Sequence, residues 1–446
     1  MTSLLEVLVT SDSNNTLWTS CIWDPHTGTS LMTYKGGGTA EAKTLSFIGN
    51  DYIAAAEKSK PILHVWPLNS QQTVQGMRFV LPGKASAVSV SIDGLYIVAG
   101  IDEKIFLWQM SSGSLLTIIN RHYQKVVLLK FTPDGKFFIS AAEDGMVMLW
   151  SLTTVSAHPE VDLITQSTAG QHDPVYIFSD HSLPVTDLCI SKTGIHGRLI
   201  TVSSDRTCKI YDLSTGEMLL NIVFDVPLSS VIMDILELNI FIGTTEGKIH
   251  QFSLTNAPRS RDFLVNTETN CPTFIAHTKA VTCLSVSVGG ETLMSGSSDE
   301  QVILWHIPSK QPVRIIRHKG PITNAFFTMN FPAIYKQDFN PSIILHSLER
   351  SLEKDVDEVS EIEVLINKKI DFWPTYQEND NEYNLPSKEV ENEYKLKEIA
   401  MKNELNKLKK INANLYAFSV NQTLKSVAAS NDVSYKKKKK KNYKDK

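Results

Sequence analysis

Aromatic residues recur along this 446-residue chain at intervals of 41 to 61 residues, and most of them follow a carboxylate at a fixed distance. The seven aromatic markers are Trp23, Trp66, Trp108, Trp150, Tyr211, Phe252 and Trp305. The carboxylates that stand six residues before five of these markers are Asp102, Asp144, Asp205, Glu246 and Asp299. Histidines precede three of these five units, at His122, His181 and His277. Self-similarity at this period predicts seven copies of one small supersecondary unit.

The unit around Asp299 indicates how each copy folds. Alternating apolar residues predict strands at 282–288, 291–296 and 301–306. We expect Asp299 to accept hydrogen bonds from His277 and from turn amides, and Trp305 to donate its indole N–H. Ser295 would link the two, because a buried carboxylate is tolerated only when its hydrogen bonds are satisfied. This is the WD-repeat pattern, so the sequence predicts an all-β fold, a seven-bladed WD-repeat β-propeller, over residues 1–330.

The repeated carboxylates and histidines are therefore interpreted as structural blade residues and not as catalytic ones. Their offset is the same in several units, which is typical of a scaffold. The sequence contains no GxSxG or HExxH motif. Gly36, Gly37 and Gly38 do not match a phosphate-binding loop, and we expect a flexible connection there. The sequence predicts no enzyme activity, no metal site and no cofactor.

The first unit lacks an innermost strand of its own. Residues 321–328 have the apolar content of such a strand, and we expect them to pair with the N-terminal strands. This pairing would close the ring and remove exposed sheet edges. Two units are lengthened by polar stretches at 152–179 and 254–272, which we interpret as insertions and candidate contact loops, because loops carry function on a rigid frame.

Cysteine use and hydropathy bear on the cellular compartment. The five cysteines are scattered and lack CxxC spacing, which favours a reducing compartment over disulfides or zinc. The N-terminal residues carry no basic region, so we expect no signal peptide. No apolar stretch is long enough to predict a membrane span.

Beyond residue 330 the composition changes, and residues 331–387 are predicted to be an acidic and polar linker. An aromatic cluster at Phe372, Trp373 and Tyr376 would either dock on the propeller or anchor a partner.

A helix is predicted at 388–418, with Ser387 as its cap. Its apolar stripe consists of Tyr394, Met401, Leu405, Leu408, Ile411, Leu415 and Phe418. The seven-residue spacing is typical of a coiled coil that joins two copies into a homodimer or binds a partner helix, and packing on the chain's own propeller is the alternative.

The last segment, 419–446, contains a run of six lysines and is predicted to be a disordered tail. The run consists of Lys436, Lys437, Lys438, Lys439, Lys440 and Lys441. It is interpreted as a nuclear-localisation signal or a weak RNA-contacting tail on a chain whose net charge is −4. A solubilising tail is the plain alternative.

Five segments carry a more specific resemblance. They are TSCIWDPHTGTSLMTYKGG near the start, GLYIVAG at 94–100, RHYQ at 121–124, NIVFDV at 221–226 and KGPITNA at 319–325. They resemble the family that comprises WD repeat-containing protein eighteen and its fungal Ipi-type counterparts, and KKINANLYAFS at 409–419 is similar to that family's C-terminal helix.

The resemblance implies a non-enzymatic scaffold subunit of a Rix-type complex in the nucleolus and nucleoplasm. It implies as partners a large scaffold subunit and the other subunits of that complex, and indirectly a midasin-type ATPase and the pre-ribosome. The implied role is large ribosomal subunit maturation, including removal of the pre-rRNA spacer.

Two other functions remain open from the residues alone. A WD-repeat propeller can read a peptide or histone tail in its central channel, which would require an acidic or aromatic channel mouth. It can also act as a ubiquitin-ligase substrate receptor, which would co-purify with a cullin adaptor.

Overall fold

The structure is a computed structural model that describes residues 6–14, 17–74, 77–156, 173–255, 258, 260–265, 271–336 and 341–351, together with Lys407, Lys409 and Lys410. Between residues 6 and 351 the described chain forms seven separate sheets, six of four strands and one of five. The predicted seven-bladed, all-β propeller is confirmed.

The strands follow one another along the chain and fill the blades in order. The N-terminal strands are β1 (Glu6–Asp12), β2 (Ser20–Trp23) and β3 (Ser30–Tyr34). Blade 1 contains β4 (Ser46–Ile48), β5 (Tyr52–Ala56), β6 (Ile62–Pro67) and β7 (Phe79–Val80). Blade 2 contains β8 (Ala85–Val90), β9 (Tyr96–Ile101), β10 (Lys104–Gln109) and β11 (Leu115–Asn120). Blade 3 contains β12 (Val126–Phe131), β13 (Phe137–Ala142), β14 (Val147–Ser151) and β15 (Tyr176–Phe178), with the short helix α1 (Leu152–Ser156) before β15.

The later blades include one departure from simple chain order. Blade 4 contains β16 (Val185–Ile190), β17 (Arg198–Ser203), β18 (Thr207–Asp212) and β19 (Met218–Val223). Blade 5 contains β20 (Leu228–Met233), β21 (Asn239–Thr244) and β22 (Lys248–Ser253). Strand β23 (Asp262–Leu264) then joins blade 4, and β24 (Thr273–Ile275) completes blade 5. Blade 6 contains β25 (Val281–Val286), β26 (Thr292–Ser297), β27 (Gln301–His306) and β28 (Gln311–Arg317).

Blade 7 is built from both ends of the propeller. Strand β29 (Ile322–Met329) pairs antiparallel with β1, with Val9 opposite Phe326 and Thr10 opposite Ala325. The sheet order is β29, β1, β2, β3, so the strand from the far end of the chain is the innermost one. The ring is therefore held shut by main-chain hydrogen bonds between segments more than three hundred residues apart.

The aromatic markers form much of the core between blades. Trp66, Trp108, Trp150 and Trp305 are among the largest fully buried side chains. They sit on third strands, where alternate residues face a neighbouring blade. Burying rings of this size gives each blade interface a large apolar area and a fixed geometry.

Hydroxyl groups at the start of the innermost strands pin four of the blades to the next one. Ser86, Thr186, Ser229 and Thr282 each occupy the second position of such a strand. In blade 6, Thr282 Oγ1 lies 2.9 Å from the carbonyl oxygen of Ile322 in blade 7, and Thr186 Oγ1 in blade 4 lies 3.0 Å from that of Leu228 in blade 5. The same hydroxyls also contact the second strand of their own blade, at Gly296 and Val202 respectively. Each therefore ties three strands together where the blades converge.

The segment after the closing strand does not match the predicted polar linker that begins at residue 331. Pro332–Tyr335 forms a 3-10 helix with Ile334 buried, and residues 341–351 pack along blades 1 and 2. Leu345 and Leu348 are 3% and 7% exposed, within the same core cluster as Trp108. We call residues 341–351 the strap. Within the strap, two buried leucines thus anchor a stretch whose other residues are exposed or half-buried.

The two insertions are partly regular. The first contributes α1 and β15 to blade 3, and Val155 of α1 is buried in a cluster that includes Ile119 of β11. The second contributes β23, which pairs in parallel with β19. Both insertions therefore cover blade edges in addition to whatever contacts they make with partners.

The C-terminal predictions mostly concern residues outside the described ones. The aromatic cluster at 372–376, the seven apolar residues of the helical stripe and the lysine run 436–441 all lie there. Lys407, Lys409 and Lys410 are helical and exposed. Among the helices of the described part, none is long and apolar enough to cross a membrane.

Candidate functional site: buried histidine networks and the ring axis

Blade 6 contains a relay of hydrogen bonds between four side chains. His277 Nδ1 lies 2.9 Å from Asp299 Oδ2, and His277 Nε2 lies 2.7 Å from Ser295 Oγ. Trp305 Nε1 donates to the same Ser295 oxygen at 2.8 Å. Because the carboxylate only accepts, Nδ1 is assigned the ring proton, and the serine hydroxyl donates to Nε2. With a neutral imidazole, each donor of the relay has one acceptor, so every hydrogen-bond donor in it is satisfied.

Blade 3 repeats this relay with the same four residue types at its own positions. His122 Nδ1 lies 3.1 Å from Asp144 Oδ2, His122 Nε2 lies 2.8 Å from Ser140 Oγ, and Trp150 Nε1 donates to Ser140 Oγ at 2.9 Å. Burial by itself would raise the pKa of Asp144, but hydrogen bonds from His122 and from the backbone N–H of Met146 and Tyr123 outweigh it and lower that pKa. The carboxylate is therefore a structural anion that fixes its turn.

Blade 4 has the same two histidine contacts, but a tyrosine stands in place of the tryptophan and its hydroxyl bonds an aspartate. His181 Nδ1 lies 2.9 Å from Asp205 Oδ2, and His181 Nε2 lies 2.7 Å from Thr201 Oγ1. Tyr211 donates its hydroxyl to Asp180 Oδ2 at 3.0 Å. Burial would raise the pKa of Asp205, but hydrogen bonds from His181 and Thr207 hold it well below its usual range.

Two of the five predicted carboxylates do not take part in such a relay. Asp102 is exposed in a turn with a backbone φ of 53°, and Trp108 instead donates its indole N–H to the carbonyl oxygen of Glu349, at 2.7 Å. The side chain of Glu246 is 52% exposed and pairs with Lys248 at 3.2 Å, while Phe252 is buried. In these two units the carboxylate six residues before the aromatic residue does not form a relay. In blade 2 the strap accepts the tryptophan N–H instead. In blade 5 the aromatic residue is a phenylalanine, which has no N–H to donate.

Blade 7 contains a buried histidine near an aspartate that the sequence analysis missed, but neither ring nitrogen of this histidine makes a hydrogen bond to a described residue. Trp23 Nε1 donates to Thr10 Oγ1 at 2.8 Å, and His318 Nδ1 lies 3.4 Å from Asp12 Oδ2. The ring of His318 packs edge-on against Trp23. The signal was present, because His318 stands four residues before Ile322, as His277 stands before Val281. It was hidden because the histidine and the aspartate belong to opposite ends of the chain.

Blade 1 shows why the three-glycine run is not simply a flexible connection. Gly37 is buried, and a Cβ atom there would lie 2.3 Å from the ring of Trp66. The indole N–H of Trp66 donates to the carbonyl oxygen of Lys35 at 2.8 Å. The expectation of flexibility is corrected, since the glycine is required by close packing beneath the tryptophan.

A buried ion pair crosses the axis of the ring. Lys43, just before β4, places its Nζ 3.1 Å from Asp187 Oδ1 on β16, and Lys130 Nζ on β12 lies 3.8 Å from the same oxygen. Lys43 also reaches the carbonyl oxygen of Thr282 in blade 6, at 3.5 Å. Burial would raise the pKa of Asp187, but Lys43 and Lys130 lower it. Three side chains and one main-chain carbonyl group, each from a different blade, thus meet at this level of the ring.

The ring axis offers limited room for a ligand. A polypeptide threaded through it would have to separate Lys43 from Asp187 and leave this buried carboxylate without the nearest cation, which is unfavourable. A cavity of about 270 Å³ lies at the end of the inner strands, between Lys130, Cys189 and Met233. This space suits one side chain more than an extended peptide.

The remaining titratable groups give no metal or nucleophile site in the described part of the chain. No group of three or more His, Cys, Asp or Glu side chains there could hold a metal ion. Its five cysteines are free and buried, and burial raises the pKa of the thiols of Cys21, Cys189, Cys208, Cys271 and Cys283.

Comparison with known families agrees with this division of the blades. A model described as "WD domain, G-beta repeat" matches residues 113–151, 172–212 and 269–306. These ranges contain the strands of blades 3, 4 and 6 that carry the relays. The family model thus recognises the blades in which the histidine, aspartate and hydroxyl residues are all present.

Similar proteins cover most of the chain. The rat protein named WD repeat-containing protein 18 is 39% identical over 354 residues, which is 79% of this chain and 80% of that protein. The human protein of the same name is 37% identical over 353 residues, or 79% of each. A protein of Caenorhabditis elegans named Pre-rRNA-processing protein pro-1 is 27% identical over 335 residues, which is 73% of this chain and 61% of that protein. Since the similarity to the vertebrate proteins exceeds 35% identity and covers 79% of this chain, the chain belongs to the WD repeat-containing protein 18 family.

Proposed function

We propose that this protein is a non-catalytic scaffold that takes part in maturation of the large ribosomal subunit. The observation that carries the proposal is the similarity, over 79% and 73% of this chain, to WD repeat-containing protein 18 and to a relative named for pre-rRNA processing. The closed ring supports a scaffolding role, because it fixes many loops on a rigid frame.

The chemistry of the buried relays supports a role without catalysis. Each histidine of blades 3, 4 and 6 is saturated by an aspartate on one side and a hydroxyl on the other. A general base needs reach to a substrate proton, and these imidazoles are occupied inside the blades. The relays act instead by fixing the turns that carry the surface loops.

The finer assignment is to a Rix-type complex in the nucleolus and nucleoplasm. In this assignment the protein binds a large scaffold subunit and the other subunits, and through them meets a midasin-type ATPase and the pre-ribosome. The lysine run 436–441 would direct nuclear import or touch RNA weakly, and the predicted helix at 388–418 would join two copies or a partner helix.

Affinity purification from nuclear extract tests this proposal against the two alternatives. The tagged full-length chain is expected to recover large-subunit precursor RNA and assembly factors. Recovery of a cullin adaptor without precursor RNA would favour the ubiquitin-ligase receptor, and recovery of histones alone would favour the tail reader. A matched bait with Lys43→Met and Asp187→Leu removes the Lys43–Asp187 ion pair at the ring axis and leaves Lys130 in place. The scaffold proposal predicts the same set of partners for this bait.

A further inference from the structure

The turns that directly follow the innermost strands lie on one face of the propeller, at the strand ends opposite the histidine loops. In blades 2, 3, 5 and 6 these turns have the same hydrogen bond, in which the N–H of the fourth residue donates to the carbonyl oxygen of the first at 2.9 Å. The turns are residues 91–94, 132–135, 234–237 and 287–290. Because their backbones correspond, their side chains can be compared position by position.

The turn of blade 5 departs from the other three at two positions. The fourth residue has a positive φ and is glycine in blades 2, 3 and 6, but it is Glu237 in blade 5, with a φ of 58°. Glu237 accepts hydrogen bonds from the hydroxyls of Ser191 and Thr193 in blade 4, which offset this cost. The third residue is aspartate or glycine elsewhere, but in blade 5 it is Leu236, which is 72% exposed. An exposed leucine at a turn contributes nothing to the fold, and such departures from local rules are typical of functional surfaces.

Leu236 belongs to a patch of exposed apolar side chains. Ile235 and Leu238 flank it in blade 5, and Val288 of the blade 6 turn is 53% exposed. The two turns are neighbours, since a Cβ atom on Gly290 would lie 3.6 Å from Asp234 Oδ1. We call Ile235, Leu236, Leu238 and Val288 the apolar patch. Contiguous exposed apolar groups of this kind mark interaction sites.

On blades 1 and 2 the chain covers the same face itself. The strap passes over these turns, where a Cβ atom on Gly94 would lie 2.6 Å from Ile343 Cδ1. Asp51 of blade 1 accepts the backbone N–H of Ser342 at 2.6 Å. Within the described part of the chain, no segment lies over the apolar patch of blades 5 and 6 in this way. The strap thus shows that this face can hold a segment laid across its turns.

A groove extends from the apolar patch towards blade 7. It has a volume of about 300 Å³, and its apolar walls are Leu304, Val313 and Phe327. Glu6 and Glu291 also line it, together with His26. Such a groove suits a lysine or arginine, because the aliphatic stem packs on apolar walls while the charged end meets a carboxylate.

The two carboxylates of the groove carry charge that the described residues leave uncompensated. Glu6 Oε1 accepts the backbone N–H of Val288 at 2.8 Å, which ties the groove to the apolar patch. Among the ion pairs of the described residues, none involves Glu6 or Glu291. A hydrogen bond from a neutral amide leaves the negative charge in place, so a cation from a partner is favoured here.

The charge of the two turns has the same sign as that of the groove. Residues 234–238 and 287–291 contain three carboxylates, those of Asp234, Glu237 and Glu291, and neither lysine nor arginine. Lys192 of blade 4 lines the neighbouring cavity with Asp234, so it reduces this charge on one side only. A surface of this composition repels a polyanion and favours a partner that combines apolar and basic residues.

The backbone of the two turns is not available for strand addition. The N–H of Ile235 donates to Asp234 Oδ1 at 2.7 Å, that of Val288 donates to Glu6, and that of Gly290 donates to the carbonyl oxygen of Ser287. Recognition at this face therefore depends on side chains. An amphipathic helix presents apolar and charged side chains in this way without needing a free sheet edge.

We propose that the apolar patch and the adjoining groove bind an amphipathic helix of a partner protein, whose apolar stripe is flanked by lysine or arginine. The apolar stripe covers Leu236 and Val288. One basic side chain enters the groove, with its stem against Val313 and its charged end at Glu6 and Glu291.

Binding of a labelled helical peptide to the full-length protein tests this proposal. The probe is a fluorescein-labelled peptide of sequence LKKLLKLLKKLLKL, and the comparison probes are LEELLELLEELLEL and a labelled oligouridine. Fluorescence anisotropy is expected to show saturable binding of the basic peptide that weakens as salt is added. The acidic peptide should bind at least about tenfold more weakly.

Substitutions in the apolar patch then locate the site. Leu236→Ser combined with Val288→Thr should weaken binding of the basic peptide at least about tenfold, because the apolar contact is lost without a change of charge. The matched control is Leu219→Ser combined with Val175→Thr, at positions 48% and 43% exposed on the outer strands of blade 4 and beside those of blade 3. This control should leave binding unchanged.

A charge reversal tests the groove separately. Glu291→Lys should weaken binding of the basic peptide at least about tenfold, whereas Glu103→Lys, in an exposed turn of blade 2 on the opposite face, should change it less than about twofold. Thermal unfolding midpoints equal to that of the native protein show that each variant is folded.

Five outcomes would overturn the proposal. They are absence of saturable binding of the basic peptide, equally tight binding of the acidic peptide, and an equal loss of binding in the matched controls. The fourth is binding of oligouridine that is lost on Leu236→Ser with Val288→Thr, which would make the face an RNA contact. The fifth is a lower solution mass of that full-length variant by light scattering, which would show that a second copy covers the face. The pre-ribosomal association is tested separately by the purification experiment.

Discussion

At the scale of single residues, the relays show how polar groups stabilise a buried turn. In blade 6 the Ser295 oxygen accepts from Trp305 and its hydrogen goes to His277. One hydroxyl therefore satisfies two buried rings, and the imidazole in turn holds Asp299. Removing one member leaves the others buried and unpaired, which costs more than the hydrogen bond itself contributes.

Replacing Ser295 by alanine should destabilise the protein by about 1–3 kcal/mol, because the indole N–H of Trp305 and Nε2 of His277 both lose their partner. Urea unfolding followed by tryptophan fluorescence measures the change. Ser298→Ala, directly after the same strand but outside the relay, is the control and should change stability by less than about 0.5 kcal/mol. Equal effects of the two substitutions would contradict the relay.

The low pKa of Asp205 makes part of the stability depend on pH. Because this pKa is lower in the folded protein than in the unfolded chain, ionised Asp205 stabilises the fold above about pH 4. That stabilisation is lost as the pH falls through the folded-state value. Asp205→Asn should therefore be less stable than the native protein at pH 7, and the difference should shrink in acid.

Unfolding free energies at a series of pH values test this expectation. Asp102→Asn is the matched substitution, at an exposed turn position with positive φ that asparagine tolerates, and should change stability little at pH 7. A gap between native and Asp205→Asn proteins that stays constant down to the lowest measurable pH would refute the assigned role.

At the scale of elements, the strap replaces a relay. Blade 2 has Trp108 in the expected place, but the carbonyl oxygen of Glu349 accepts its indole N–H. Glu349 also accepts the backbone N–H of Leu115 through its carboxylate, at 3.0 Å, and donates its own N–H to the carbonyl oxygen of Gly113, at 2.9 Å. These three bonds fix the strap on the blade, and the strap leucines fill the core beside it.

Leu345→Ala should cost about 2–5 kcal/mol, because the side chain is 3% exposed in the core cluster of blades 1 and 2. The adjacent substitution Ile344→Ala, at a 56% exposed position, should cost less than about 1 kcal/mol. Chemical unfolding of the full-length variants measures both values. If both substitutions had the same small effect, the strap would contribute nothing to the propeller's stability.

The sequence predicts what is repeated and misses what occurs once. The period, the blade number and the atoms of the relay around Asp299 all follow from a pattern that recurs in several units. The strap and β23 could not be found in this way, because each is a short segment whose partners are distant and occur once. His318 lay between these cases, since it has the repeated spacing but its aspartate is at the other end of the chain.

At the scale of the whole molecule, the ring holds itself together across the chain. Blade 7 joins the two ends, and the pair of Lys43 with Asp187 joins blades on different sides of the axis. A frame fixed in this way can present several faces to different partners at once. In the extension beyond the propeller, the sequence predicts the helix at 388–418 that would join two copies or bind a partner helix.

Light scattering of the full chain and of a version that ends at Ser387 tests that helix. If residues 388–418 join two copies, the full chain should have twice the monomer mass and the shortened chain the mass of one copy. Substituting Leu408 and Leu415 by lysine within the full chain should also give a monomer, whereas substituting Lys407 and Lys410 by glutamine should not. A monomeric full chain would leave the stripe to a partner helix or to the propeller.

The central claim is that this propeller serves maturation of the large ribosomal subunit, and complementation tests it most directly. The native protein is depleted from cells of its own species, and spacer-containing precursor RNA is measured while variants are expressed in its place. Depletion is expected to raise that precursor several-fold, and a folded, partner-binding variant in which one relay histidine, His277, is replaced should restore processing, since this histidine does not act in catalysis. Unchanged precursor levels after depletion would contradict the proposed function, and a stable, partner-binding variant that failed to restore processing would contradict the non-catalytic account.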